Sequence, residues 1–137
     1  MSRYCEVKTE FRDGRALVHA LLETGNWDTG QIEVYDDPQH LIGYKGDTRP
    51  ETAHIIIRQK HVGQSSNDIG FYRDDNGQYR GIISDFDKRK YGEQWINRLK
   101  GNYAFHKLRI EQESRGRSVT RTRMEGNRQR VEIRGYR

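Results

Sequence analysis

Cysteine is nearly absent, with Cys5 standing alone, and only two of the 137 residues are proline. A single thiol excludes any intrachain disulfide, so packing and hydrogen bonds must hold the fold, and a reducing compartment is the simpler setting. Apolar side chains are scarce as well. Leu, Ile, Val and Phe number 27 of 137, close to the level at which disorder competes with folding. No apolar run approaches the roughly 18 residues of a membrane span. The opening MSRYCEVKTE offers no stretch fit for a signal peptide. The chain is expected to be a cytoplasmic domain that stays where it is made.

The motifs of common chemistry are missing too. There is no HExxH, no CxxC and no Cys/His cluster with metal-ligand spacing, so neither a metal nor a cofactor is expected. Cys5 shares a strand face with Val7 and Phe11 and reads as a buried, inert thiol rather than a nucleophile. His19, His40, His54, His61 and His106 are dispersed over separate elements, so no base is assigned to a nucleophile. Asp74-Asp75-Asn76-Gly77 lacks the spacing and distal Glu of a calcium loop, and a hairpin turn accounts for it. Asp85 and Asp87 alternate at a strand end, where a solvated terminus competes with a weak cation site. The expectation is a chain that is not an enzyme.

What is present is pattern. CEVKTEF alternates with the period of a half-buried strand. In RDGRALVHALLETG, Asp13 suits an N-cap and Gly25 a C-cap, while Leu17, Val18, Leu21 and Leu22 form one helical stripe. QIEVYD reads as a strand stopped by Asp37-Pro38, and Ile55-Ile56-Ile57 as a central strand. Asn76-Gly77 suits a tight hairpin turn. From Glu93 the period lengthens along Ile96, Leu99, Tyr103, His106 and Ile110, with a break expected at Gly101-Asn102. A terminal hairpin turns around Glu125-Gly126-Asn127. The expected fold is α+β: one domain over residues 1–137, one mainly antiparallel sheet of about six or seven strands, and two helical regions on one face. Leu17, Leu21, Ile56, Phe71, Ile83, Trp95 and Leu99 form the expected core.

Charge is unevenly placed. Residues 98–137 carry a net +8 and residues 1–97 a net −3, which points to an acidic partner for the C-terminal part. Its arginine-rich hairpin, residues 115–137, offers Arg121, Arg123, Arg130 and Arg134 as a candidate anion or nucleic-acid strip. The alternative is a solvated face that keeps an edge soluble. The stretch GYKGDTR, Gly43 to Arg49, has its glycines at the wrong spacing for a P-loop. It reads as a turn in which Gly43 and Gly46 serve the backbone, or as a nest for an isolated anion. Tyr44, Lys45 and Arg49 are its candidate contact residues.

Taken in order, CEVKTEF, the first helix, GYKGDTR, AHIIIRQ, NDIGFYRDDNGQYRGIISD and the helical W-I-x-x-L-x-x-x-YA-x-H-K resemble one family. It is the domain-of-unknown-function family 1257, which contains the chloroplast hypothetical reading frame thirty-five product and its cyanobacterial relatives. The resemblance runs from about Tyr4 to Arg134. Its most specific pieces are Gly43-Tyr44-Lys45-Gly46 with Arg49, Asn67-Asp68-Ile69-Gly70-Phe71, and Tyr103-Ala104. The basic KRKYGEQW stretch and the arginine-rich terminal hairpin depart from the family pattern. The resemblance implies no catalytic residues. It implies an accessory protein associated with an AAA-type ATPase and a tiny companion protein, placed in the plastid stroma if organellar.

Three readings follow. A protein-interaction adaptor using Tyr44, Lys45 and Arg49 leads. A nucleic-acid-binding domain using the basic C-terminal part, where Tyr103, Phe105 and Tyr136 interleave with charge, comes second. An enzyme of unknown type is third.

Overall fold

A computed structural model describes residues 3–123 and 128–135. Strand β1 (Tyr4–Phe11) leads into helix α1 (Gly14–Gly25), followed by β2 (Ile32–Ile42), β3 (Thr48–Ile57) and the single turn α2 (Gln59–Val62). Then come β4 (Ile69–Arg73), β5 (Tyr79–Ser84), the long helix α3 (Glu93–Glu113), and the hairpin β6 (Arg117–Arg123) and β7 (Gln129–Gly135). The class is α+β, as the sequence indicates. Among the described residues the seven strands divide, however. Five form an antiparallel sheet in the order β1-β5-β4-β3-β2, and β6 and β7 pair only with each other. The terminal hairpin is therefore not an extension of the main sheet.

Alternation along β3 explains the layering. Ile55 and Ile57 face the helices and join Phe71, Ile69 and Ile83, against which α1 lays Leu17 and Leu21 and α3 lays Trp95 and Leu99. Ile56 points the other way, into a smaller cluster with Tyr4, Leu41 and Ala53. All seven expected core residues are buried. Two aromatic residues that the periodicity did not single out, Tyr91 and Trp27, complete the main core: Tyr91 stacks on Trp27 at 6.0 Å and meets Trp95 edge-on at 5.0 Å.

Local chemistry sets the boundaries. Asp13 caps α1, its carboxylate accepting from Ala16 N at 3.1 Å. The C-cap is Asn26 in the left-handed region, one residue beyond the expected Gly25, because Asn tolerates that conformation. Proline does not end β2. The step from Val34 to Gln39 is matched on β3 by the shorter step from Ile55 to Ala53, so Asp36-Asp37-Pro38 lies in a bulge and the strand resumes. β2 is an edge strand, where a missing N–H is tolerated. Nor does α3 break at Gly101-Asn102. Asn102 is buried and donates from Nδ2 to Thr24 Oγ1 at 2.7 Å, so α1 holds the helix through its weak point.

The resumed half of β2 brings Leu41 against Gly70. A Cβ added there would meet Ala53 Cβ at 2.5 Å and Leu41 Cδ2 at 2.9 Å, so only glycine lets the chains approach so closely.

With so small a core, one deletion should be felt. Leu21→Ala should lower unfolding free energy by about 2–5 kcal/mol in urea denaturation. An unmoved midpoint would show that Leu21 does not seal the helix–sheet interface.

Candidate interaction site at the Gly43 to Arg49 turn

The turn joins β2 to β3. Gly43 N donates to Asp47 O at 2.8 Å and Gly46 N to Gly43 O at 2.9 Å, and Gly46 takes φ +82°. The turn reading thus holds, with Gly46 supplying the positive φ. Tyr44 is 39% exposed and Lys45 lies open beside its ring. Arg49 is different. Its side chain is only 12% exposed, lies over the Tyr4 ring at 5.0 Å, and approaches Asp47 and Glu51. The expected trio of contact residues is therefore two exposed groups and one that packs on the body of the protein.

What fixes the turn is a buried polar hub. Tyr44 N donates to Asn67 Oδ1 at 3.0 Å, and Ile42 N to Asp68 Oδ2 at 2.8 Å. Asp68 N returns a bond to Ile42 O. The Asp68 carboxylate also accepts from Gln59 N and from Arg58 Nη1, each at 2.7 Å, and its carbonyl accepts from Tyr4 OH. Asn67 in turn donates from N to Asp87 Oδ2 and from Nδ2 to Ser84 Oγ, and Ser84 Oγ donates to Asp87 Oδ2 at 2.7 Å. Both Asn67 and Asp68 have no exposure. Burial, with the nearby Asp68 charge, pushes the Tyr4 phenol well above its ordinary value. Burial alone would lower Arg58, but hydrogen bonds to Asp68, Tyr35 and Glu33 raise it further from neutrality.

Beside the turn opens a cleft of about 710 Å3, lined by Gln39, His40, Thr48, Arg58, Lys60 and Asp68 among others. Its ionic centre is the Arg58–Asp68 pair, which the hub already saturates. His40 Nδ1 donates to Arg49 O at 2.8 Å, so that ring is a strut between β2 and β3.

The remaining candidate groups have local partners. Cys5 is half-buried rather than sealed in the core, and donates to Asp85 Oδ1 at 2.9 Å, a bond that raises the thiol's pKa. Asp74 accepts from Asn76 N, Gln78 N and Arg80, as a turn requires. His54 Nδ1 accepts from Arg73 N, and burial holds its pKa down. Among the described residues no group of three or more His, Cys, Asp or Glu is placed to hold a metal ion. No helix among them is long and apolar enough to cross a membrane.

The four arginines do not form one strip. Register pairs Arg121 with Val131 and Arg123 with Gln129 on the face toward the helices, whereas Arg130 and Arg134 pair with Thr122 and Ser118 on the other face. Arg121 and Arg123 both bond to Glu23, and Arg134 reaches Glu132 at 3.3 Å. The alternation was legible, but which face turns inward depends on Glu23, a residue to which the sequence assigned no role. Met124, Glu125, Gly126, Asn127 and Tyr136 lie outside the described residues.

Residues 30–133, more than half of the chain, match the family described as protein of unknown function DUF1257. The chain belongs to that family. The match begins after α1, so β1 and α1, which supply one sheet edge and half the helix layer, lie outside it. No curated protein and no solved structure matches. Two of the most specific pieces of the resemblance meet in space, and the third ties into the start of α1. Asn67-Asp68 holds the turn that contains Tyr44, and the Tyr103 hydroxyl accepts from Arg12 N and Asp13 N at the entrance to α1.

Packed as it is, Arg49 should matter for stability. Arg49→Ala should cost about 1–2 kcal/mol through the lost stacking on Tyr4 and neighbouring charge, read from chemical denaturation. An unchanged midpoint would return Arg49 to the status of a surface contact residue.

Proposed function

We propose that this DUF1257 protein is a non-enzymatic interaction module that docks a partner protein through the Tyr44–Lys45 turn and the cleft beside it. The observation that carries the reading is an exposed tyrosine on a turn whose backbone is already tied down, at Gly43, Tyr44 and Gly46. Tyrosine is enriched at binding hot spots, and a preorganised loop loses little entropy on association. The adjoining cleft adds polar groups that can fix orientation. The resemblance supplies the first partners to test, an AAA-type ATPase or a tiny companion protein.

Nucleic-acid binding by the C-terminal part is the second reading. It draws on the net +8 of residues 98–137. Arg121 and Arg123 pair with Glu23, so a phosphate would have to displace that carboxylate to reach them.

A photo-crosslinking residue placed at position 44, in the full chain and in its own cell, tests the leading reading. A discrete, nuclease-resistant cross-linked polypeptide, lost when Lys45 is changed to Glu, is expected. Cross-linking no stronger than from a control position on the exposed face of α3, such as Ala104, would remove the turn from the interface.

A further inference from the structure

The hairpin β6–β7 rests on the helices through a carboxylate. Glu23, in the last turn of α1, accepts from Arg121 Nη2 at 2.9 and 2.8 Å, from Arg123 Nη2 at 2.6 Å and from His106 Nε2 at 2.8 Å. His106 Nδ1 accepts from Arg109 Nε at 3.3 Å, so the ring proton lies on Nε2 and is donated to Glu23. Burial alone would raise the Glu23 pKa, but the bonds from Arg121, His106 and Arg123 hold it down to about 2.

Much of this site is held by contacts other than those to Glu23. The Arg121 guanidinium lies 3.9 Å above the Phe105 ring and donates to Asn102 Oδ1 at 3.1 Å. Arg123 also reaches Asn102 Oδ1, and Asn102 is oriented by its bond to Thr24. Gln129 Nε2 donates to Gly101 O at 3.0 Å, tying the second strand down independently of Glu23.

Two features favour exchange of Glu23 for an outside carboxylate. The charges do not balance: two guanidiniums face one carboxylate. Glu23 also sits at the C-terminal end of α1, where the helix dipole disfavours an anion and no basic residue occupies the last turn. The site opens to solvent on the Arg123 side: the side chains of Glu23 and Arg123 are 31% and 52% exposed, while Arg121 is 14% exposed against the Phe105 ring.

We propose that Arg121 and Arg123, positioned by Asn102, form a recognition site for a carboxylate side chain on an acidic segment of a partner protein, which the chain's own Glu23 fills in the unbound state. The site's ligand class is read from its present occupant: the guanidinium pair already holds a carboxylate. Arginine's planar fork suits that geometry better than a point charge does. The surrounding basic surface favours approach of an acidic segment, residues 98–137 being net +8. This surface is separate from the Tyr44 turn, so either reading can fail alone.

The test is titration of the purified full chain with a short oligoglutamate peptide, and in parallel with an oligothymidylate of the same charge. Glu23→Gln should bind oligoglutamate about tenfold more tightly than the parent, as expected if an internal ligand holds the site about nine-tenths of the time. Arg121→Ser with Arg123→Ser should abolish that gain. Arg121→Lys with Arg123→Lys, made in the otherwise unaltered chain, should also weaken oligoglutamate binding at unchanged net charge. This comparison remains decisive even if Glu23→Gln loosens the hairpin. Equal affinity of the lysine variant and the parent would overturn the proposal, leaving only net charge at work. No gain from Glu23→Gln in a chain whose hairpin stays protected from proteolysis would overturn it as well. A larger gain for oligothymidylate than for oligoglutamate would assign the site to nucleic acid instead.

Discussion

Two adjacent side chains with no solvent exposure, Asn67 and Asp68, take or give hydrogen bonds to segments otherwise far apart in sequence. Asn67 connects the β2–β3 turn to Ser84 and Asp87, at the end of β5 and just beyond it. Asp68 connects the end of β2 to the start of α2 and, through its carbonyl, to Tyr4 on β1. A buried carboxylate is costly unless it is paired and its lone pairs are filled, and both conditions are met at Asp68 by Arg58 and two backbone N–H groups. Replacing such a hub with apolar residues need not cost stability. What it gives is register: it fixes where the far half of β2 lies on the sheet.

From that constraint the outer face of the sheet follows. With Ile42 tied to Asp68, Leu41 is set against Gly70 and joins Ile56, Ala53 and Tyr4 in the smaller cluster. The sheet therefore has apolar packing on both faces, helices on one and the far half of the β2–β3 hairpin on the other. The same tie holds the Gly43–Asp47 turn in a defined position, so Tyr44 is presented by a rigid support rather than by a loose loop. The terminal hairpin is held differently, through Glu23 and Asn102 and with Val119 as its one buried apolar residue among those described.

Much of this was legible in the residues, where the signal is local. The Asp13 cap, the Leu17 and Leu21 stripe, the β-branched run at Ile55–Ile57 and the Asn76-Gly77 turn each follow from neighbours a few positions away. Two of the misreadings share one cause, a longer-range constraint overriding a local preference. Pro38 is accommodated because β2 is an edge strand with a bulge, and Gly101-Asn102 stays helical because Asn102 is tied to Thr24. The candidate site was half legible. Tyr44 and Lys45 could be picked by residue type, but the partner of Asp68 at Tyr4 lies 64 residues away and has no local trace. The one available cue was the polar Asn67-Asp68 pair placed directly before the apolar run Ile69-Gly70-Phe71.

The claim that the hub holds the turn in place is tested most directly by amide hydrogen exchange in Asn67→Ala. The Tyr44 N–H, which loses its acceptor, should exchange much faster than in the parent, by tenfold or more if the bond contributes about 1.4 kcal/mol. The amides of Ile55 to Ile57 should keep most of their protection, since they belong to the central strands. Unchanged exchange at Tyr44, or an equal loss of protection at Tyr44 and throughout β3, would contradict the account.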